Sequence, residues 1–290
     1  ASLVGVVVSC LPFSVEGPRV LVAAGMTSPL CTPDACEIEL TKHVTLTDSE
    51  GRLPTSAVVL ARDSRGRVYV STRTKTSVLV FDATGNVSSV IGNSAASSSA
   101  QNSESRFGYF GMVTRLLVGA DDTVFIGQLL GPSTMVLSRD LHLLPPIKST
   151  YIPTIILGDG TFLVARQIQT PDLVGFPLHV MDRQGHIVRS FGADVPQYRD
   201  DQKLQFERVA GVGRAGTIWV AAPGRYEFER WDPIRGTRLQ TLPVKSSWFM
   251  PSSRMARLSE RPNSLVLSLW EKDGVLWVLS RTADALWKPS

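Results

Sequence analysis

One short phrase, a polar turn rich in Gly or Asp running into β-branched and aromatic residues, recurs along this chain. It reads "RDSRGRVYVST" (Arg62 to Thr72), "VGADDTVFIGQ" (Val118 to Gln128), "LGDGTFLVARQ" (Leu157 to Gln167), "GVGRAGTIWVAAP" (Gly211 to Pro223) and "EKDGVLWVLSR" (Glu271 to Arg281). Gly and Asp tolerate the left-handed backbone of tight turns, and the residues that follow favour a pleated, packed surface. Internal repetition of this kind fixes the architecture before any single residue is considered.

A second phrase follows most copies: "VLVFDATGNVSSVIG" (Val78 to Gly92), "LHVMDRQGHIVRSFG" (Leu178 to Gly192) and "FERWDPIRGTRLQTL" (Phe228 to Leu242). An aromatic residue or Met precedes Asp, then Gly, then a new apolar run, which is the grammar of a hairpin. Asp82, Asp182 and Asp232 are expected to bond their own turn's backbone, with Gly85, Gly185 and Gly236 in the left-handed conformation. A degraded copy, "MVLSRDLHLLPPI" (Met135 to Ile147), lacks the Asp-x-x-Gly turn.

Each unit reads as four strands in roughly 40 to 55 residues. Such a sheet cannot bury both its faces alone, and radial stacking of several sheets does so. No long segment carries the 3.6-residue apolar period of an amphipathic helix. The expected fold is all-β: a β-propeller of four-stranded antiparallel blades, with five blades visible. The pairing of "DSRGRVYVST" with "VLVFDATGNVSSVIG", and of "GDGTFLVARQ" with "LHVMDRQGHIVRSFG", resembles the NHL-type six-bladed β-propellers of many secreted bacterial proteins. That resemblance covers about residue 55 onward and implies a six-bladed design, the last blade being incomplete at "ADALWKPS". Two features depart from the pattern: the degraded second hairpin, and the Ser/Ala-rich stretch "IGNSAASSSAQNSESRF" (Ile91 to Phe107).

The domain division expected is 1–36 as an N-terminal signal-like and linker segment and 37–290 as the propeller. "LVGVVVS" (Leu3 to Ser9) is too short for a membrane-spanning helix, which needs about 20 apolar residues. The run Val7-Val8-Ser9-Cys10 resembles the lipobox of bacterial lipoproteins, which implies lipidation at Cys10; a buried strand is the alternative. Cys31 and Cys36, in "CTPDAC", suit a small disulfide loop in an oxidising compartment, with free thiols as the alternative. A zinc site lacks two further ligands at finger-like spacing. "CEIELTKHVTLTD" (Cys36 to Asp48) alternates like a strand and could complete the last blade, hiding an edge.

With 30 Lys and Arg against 26 Asp and Glu, the net charge of +4 is spread singly, which argues against nucleic acid as a partner. No G-x-S-x-G elbow is present. His179 and His186 flank one turn without a metal-binding spacing, and Asp63, Asp121, Asp122, Asp159 and Asp273 sit at the repeated turns as turn formers. Propeller lactonases hold a catalytic divalent ion with carboxylates from several blades, which leaves a metal-dependent hydrolase, lactonase or lyase, with calcium or a similar cation, as the alternative reading. "RYEFERW" and "SSWFMPSSRMAR" combine rings with cations, as binding surfaces do, and mark Arg225, Tyr226, Arg230, Trp248 and Arg254 as candidate ligand-binding residues. The resulting expectation is an extracytoplasmic, periplasmic or cell-envelope monomer, attached to membrane only through a lipid anchor, that binds a protein, peptide or carbohydrate on one face. It needs no catalysis or cofactor of its own.

Overall fold

The computed structural model describes residues 5–12, 44–49, 58–72, 76–92, 111–129, 134–192, 207–256 and 260–282. An N-terminal strand β1 (Gly5–Pro12) precedes four sheets of four antiparallel strands each. Blade 1 is β2 (Val58–Arg62), β3 (Val68–Thr72), β4 (Ser77–Phe81) and β5 (Val87–Gly92). Blade 2 is β6 (Met112–Val118), β7 (Val124–Leu129), β8 (Thr134–Leu137) and β9 (Leu143–Ile147). Blade 3 is β10 (Ile155–Ile156), β11 (Phe162–Val164), β12 (Leu178–Met181) and β13 (Ile187–Phe191). Blade 4 is β14 (Val209–Val212), β15 (Ile218–Ala221), β16 (Glu227–Asp232) and β17 (Thr237–Pro243).

The fifth copy of the repeat folds differently from expectation. Its hairpin, β18 (Leu265–Lys272) and β19 (Val275–Thr282), makes a three-stranded sheet in which β1 lies antiparallel to β19 from Gly5 opposite Thr282 to Pro12 opposite Val275. The described residues therefore contain four complete blades, not five or six. Gly5–Pro12, in the segment expected to precede the propeller domain, pairs with β19. The reason is physical: a two-stranded hairpin is marginal in water, and the apolar run Gly5–Pro12 adds a third strand to it.

The first strands of successive sheets lie side by side, β2 against β6, β6 against β10, β10 against β14 and β14 against β18, so they form the inner wall of a radial array. Second strands are apolar at consecutive positions because both their faces are buried. In β7, Val124 and Ile126 pack toward blade 1 with Tyr69, Val78 and Val80, while Phe125 packs toward blade 3 with Phe162, Val164 and Met181. In β15, Ile218 and Val220 pack toward blade 3, and Trp219 and Ala221 toward the sheet of β18 and β19. Fourth strands face water, as in β9 and β17.

The hairpin grammar is realised. Asp82 Oδ1 accepts from the backbone N–H groups of Thr84 and Asn86, Asp182 Oδ1 from Gln184 and His186, and Asp232 Oδ1 from Ile234 and Arg235. Gly85, Gly185 and Gly236 have φ of +93°, +92° and +67°. In blade 2 the turn survives without its signature: Ser138 Oγ accepts from the N–H groups of Asp140 and His142, and Leu141 takes the glycine position at φ +63°.

Candidate functional site

Loops at the two ends of the array carry different chemistry. At one end are the turns between first and second strands, where Asp63, Asp121, Asp122 and Asp159 are committed to structure. Asp121 and Asp159 each accept from the backbone N–H and hydroxyl of the Thr two residues on. Asp63, with a fully buried side chain, accepts from Arg67 N and Nε (2.8 and 2.6 Å) and from the Tyr69 hydroxyl (3.0 Å). Burial, reinforced by the Asp63 carboxylate, pushes the Tyr69 phenol well above the ordinary tyrosine range.

Carboxylates tie neighbouring sheets together at this end: Asp140 of blade 2 accepts from Arg65 Nη2 of blade 1 at 2.9 Å, and two others are more buried. Asp122, at φ +62° in blade 2, accepts from Ser64 N and Oγ of blade 1 at 2.8 and 2.6 Å, and these bonds hold its carboxyl below the usual range. Glu271, at the end of β18, accepts from Arg214 N (3.1 Å) and Trp219 Nε1 (2.8 Å) of blade 4. Neither link was legible in the sequence, where Asp122 read as a turn former and Glu271 carried no assignment.

The other end of blade 4 gathers most of the candidate ligand-binding residues. The loop from Ala222 to Tyr226 closes with Arg225 N donating to Ala222 O, and the connection from Val244 to Ser264 folds back on it. Val244 N donates to Tyr226 O, Ser252 N to Gly224 O and Val266 N to Pro223 O. Tyr226 stacks on Phe249 (centroids 4.8 Å, 29°) and meets Trp248 edge-on at 5.2 Å and Phe228 at 5.1 Å. This cluster is the rigid base of the loops. Around it Arg225 and Arg254 are exposed, with Met250 and Met255 exposed to 58% and 49%. Arg254 holds Glu260 in a two-pronged pair at 2.7 and 3.0 Å. The two methionines are functional candidates that the sequence reading passed over; a Met on either side of Arg254 in "FMPSSRMAR" is their signal.

Arg230 does not join this group. It sits on β16 toward the opposite end, donating to Thr217 Oγ1 (2.9 Å) and Arg214 O (3.3 Å) with its guanidinium 5.9 Å from the Trp219 ring. Cys10 lies in β1 opposite Trp277. Cys31 and Cys36 lie outside the described residues, as does the stretch of Cys36 to Asp48 before Val44.

His179 and His186 are separated in role. His186 is exposed and meets Asp182 at 3.3 Å, whereas His179 is fully buried with Nδ1 2.7 Å from Ser190 Oγ. Among the described residues no three His, Cys, Asp or Glu side chains converge on a metal-sized space. Burial pushes the His179 imidazole down to about 4, against the opposing pull of the Arg166 and Phe176 backbones. The neutral ring is thus favoured in the fold, while the unfolded chain takes up a proton near 6.5. Stability is complete above that pH and drains as pH falls toward 4, by about 2 kcal/mol between pH 7 and 5. Urea midpoints at the two pH values measure this. The drop should shrink in a His179→Gln variant, and equal midpoints for the unaltered protein would refute the assignment.

No family model and no curated protein matches the chain. Solved structures do match it. A member of the DUF4221 family from Bacteroides vulgatus aligns over 84% of this chain and 75% of its own, with 11% identity and a TM-score of 0.54. A Bacteroides fragilis protein described as exported aligns over 72% of this chain, with 12% identity and a TM-score of 0.51. The aligned part spans little more than half of that second protein, 56%. The likeness is one of fold, and it supports the β-propeller arrangement.

Proposed function

We propose that the protein is an extracytoplasmic binding module that engages a protein, peptide or carbohydrate through the Arg225, Trp248, Met250, Arg254 and Met255 surface of blade 4, with no chemistry of its own. The observation that carries this reading is the combination in one place of a rigid ring cluster, exposed cations and exposed flexible thioethers. Rings fix the loops, Met adapts to irregular apolar shapes, and Arg supplies directional donors. At the opposite end Asp63, Asp121, Asp122 and Asp159 are engaged by their own turns and by a neighbouring sheet. The cellular compartment is proposed from sequence alone, from the apolar run ending at Cys10 and the close pair Cys31 and Cys36. The protein acts as a monomer in this reading, and the sparse, unclustered basic residues set nucleic acid aside.

The test is binding of the purified chain to peptide and glycan arrays, repeated with an Arg225→Glu/Met255→Glu variant. Both positions are exposed, so the thermal midpoint should stay within a few degrees of the original. Array signal should fall by about tenfold or more, the loss typical of a central interface residue. Equal signal from the variant would remove the surface from consideration. Turnover of a lactone or ester that depends on an added divalent cation would replace the binding reading with an enzymatic one.

A further inference from the structure

The side chains of the blade 4 surface differ in what they are already bonded to. The loop that carries the methionines is fixed through its backbone: Met250 N donates to Ser264 Oγ (3.1 Å), Ser252 N to Gly224 O (2.9 Å) and Ala256 N to Asn263 Oδ1 (2.5 Å). These bonds satisfy main-chain groups and leave the Met250 and Met255 thioethers in water, where they have apolar area to gain by covering. The Ser252 bond also sets the loop beside Arg225, the residue that follows Gly224.

The rings offer less. Tyr226 and Phe249 stack on each other and are only 7% and 5% exposed, and the half-buried Trp248 meets both of them close to perpendicular. A sugar is held by laying its C–H face on an open aromatic face, and here the rings are engaged with one another. The cations divide in the same way. Arg254 is held by both oxygens of Glu260 and donates to Met255 O (3.2 Å), so its charge is neutralised in place. The Arg225 side chain, by contrast, has no hydrogen bond or ion pair among the described residues, and Glu227, two positions on, does not pair with it.

Two open thioethers beside one uncommitted guanidinium select a ligand by chemistry: apolar side chains for the sulfurs and one carboxylate for the fork of donors. Building on the binding reading above, we propose that the ligand is a peptide segment in which apolar side chains stand next to a single carboxylate. The apolar part seats on Met250 and Met255, and the carboxylate on Arg225. A polyacidic segment gains little more, because Glu260 already neutralises the second guanidinium.

A peptide array printed in matched pairs tests this, each short apolar peptide appearing once with a glutamate and once with a glutamine in its place. Hits should fall on the glutamate members, with signal about fivefold or more above their glutamine partners, the difference a charge-assisted hydrogen bond makes. Two further glutamates should change a hit by less than about twofold. In an Arg225→Gln variant the members of each pair should bind alike, whereas Met250→Ser with Met255→Ser should weaken both. All three positions are exposed, so thermal midpoints within a few degrees of the original will show that binding and not folding was lost. Equal signal within the pairs on the unaltered protein would overturn the inference, as would a steady gain with each added glutamate. If only glycans bind, and the Arg225→Glu/Met255→Glu variant loses them, the surface is a binding site and the peptide assignment is wrong. If no peptide or glycan signal depends on this surface, the binding reading itself fails.

Discussion

Replacing Gly211 with alanine is expected to destabilise the protein by at least about 3 kcal/mol, a large loss for a single methyl group. Gly211 lies in β14, and a Cβ there would fall on the carbonyl of Leu269 in β18, 2.5 Å from its carbon and closer still to its oxygen. Those atoms are backbone of a strand paired with β19, so no side-chain rotation relieves the clash. The inner strands of blade 4 and the next sheet would have to separate, loosening the cluster of Trp219, Phe228, Val266, Leu269 and Val278. Gly216 provides the comparison. Its φ of +74° is unfavourable for alanine but nothing lies within 4 Å, so Gly216→Ala should cost only about 1 kcal/mol. Denaturant titrations of the two variants separate steric approach from backbone preference. Equal losses would mean that β14 and β18 are not in contact.

Much of this architecture was written in the repeat, because turns and fully buried second strands have local signatures. Asp82 with Gly85 announces its hairpin, and "VYV", "VFI" and "IWVA" announce strands covered on both faces. The blade count was harder to read. The phrase at Glu271 is as regular as the others, yet whether its sheet is completed depends on pairing with β1, more than 250 positions away in sequence, and long-range pairing leaves no local trace. The candidate residues of "RYEFERW" were not separable in the sequence: Tyr226, Phe228 and Arg230 recur with the period of a strand and share one face, and it is distance along the hairpin that puts the two rings at one end and Arg230 at the turn of the other. Gly211 illustrates a different limit, since its role is close approach of a neighbouring backbone, which a one-dimensional pattern cannot distinguish from flexibility.

The second large effect is expected at Asp63. Its carboxylate is fully buried, the Arg67 guanidinium nearly so, and the two meet at 2.6 Å, with the Tyr69 hydroxyl on the same oxygen. Asp63→Ala leaves a buried phenol without its acceptor and the Arg67 guanidinium with no counter-charge, only the Arg139 carbonyl, and frees the Arg67 N–H that closes the turn. Breaking one member of such a pair costs about 3 to 5 kcal/mol, more than the pair itself contributes over two apolar residues of the same shape. Asp63→Asn keeps an oxygen for the Arg67 N–H but not the charge, and should lose about half as much. A double variant, Asp63→Asn with Arg67→Met, removes the stranded cation and should recover stability relative to Asp63→Asn alone, although it carries one more substitution. Additive losses would show instead that Asp63 acts only through the turn backbone. Because Ser64 bonds Asp122 of blade 2, a loosened Asp63 turn should also raise exchange at the blade 1 and blade 2 junction, which places the effect at the interface between sheets as well as within one.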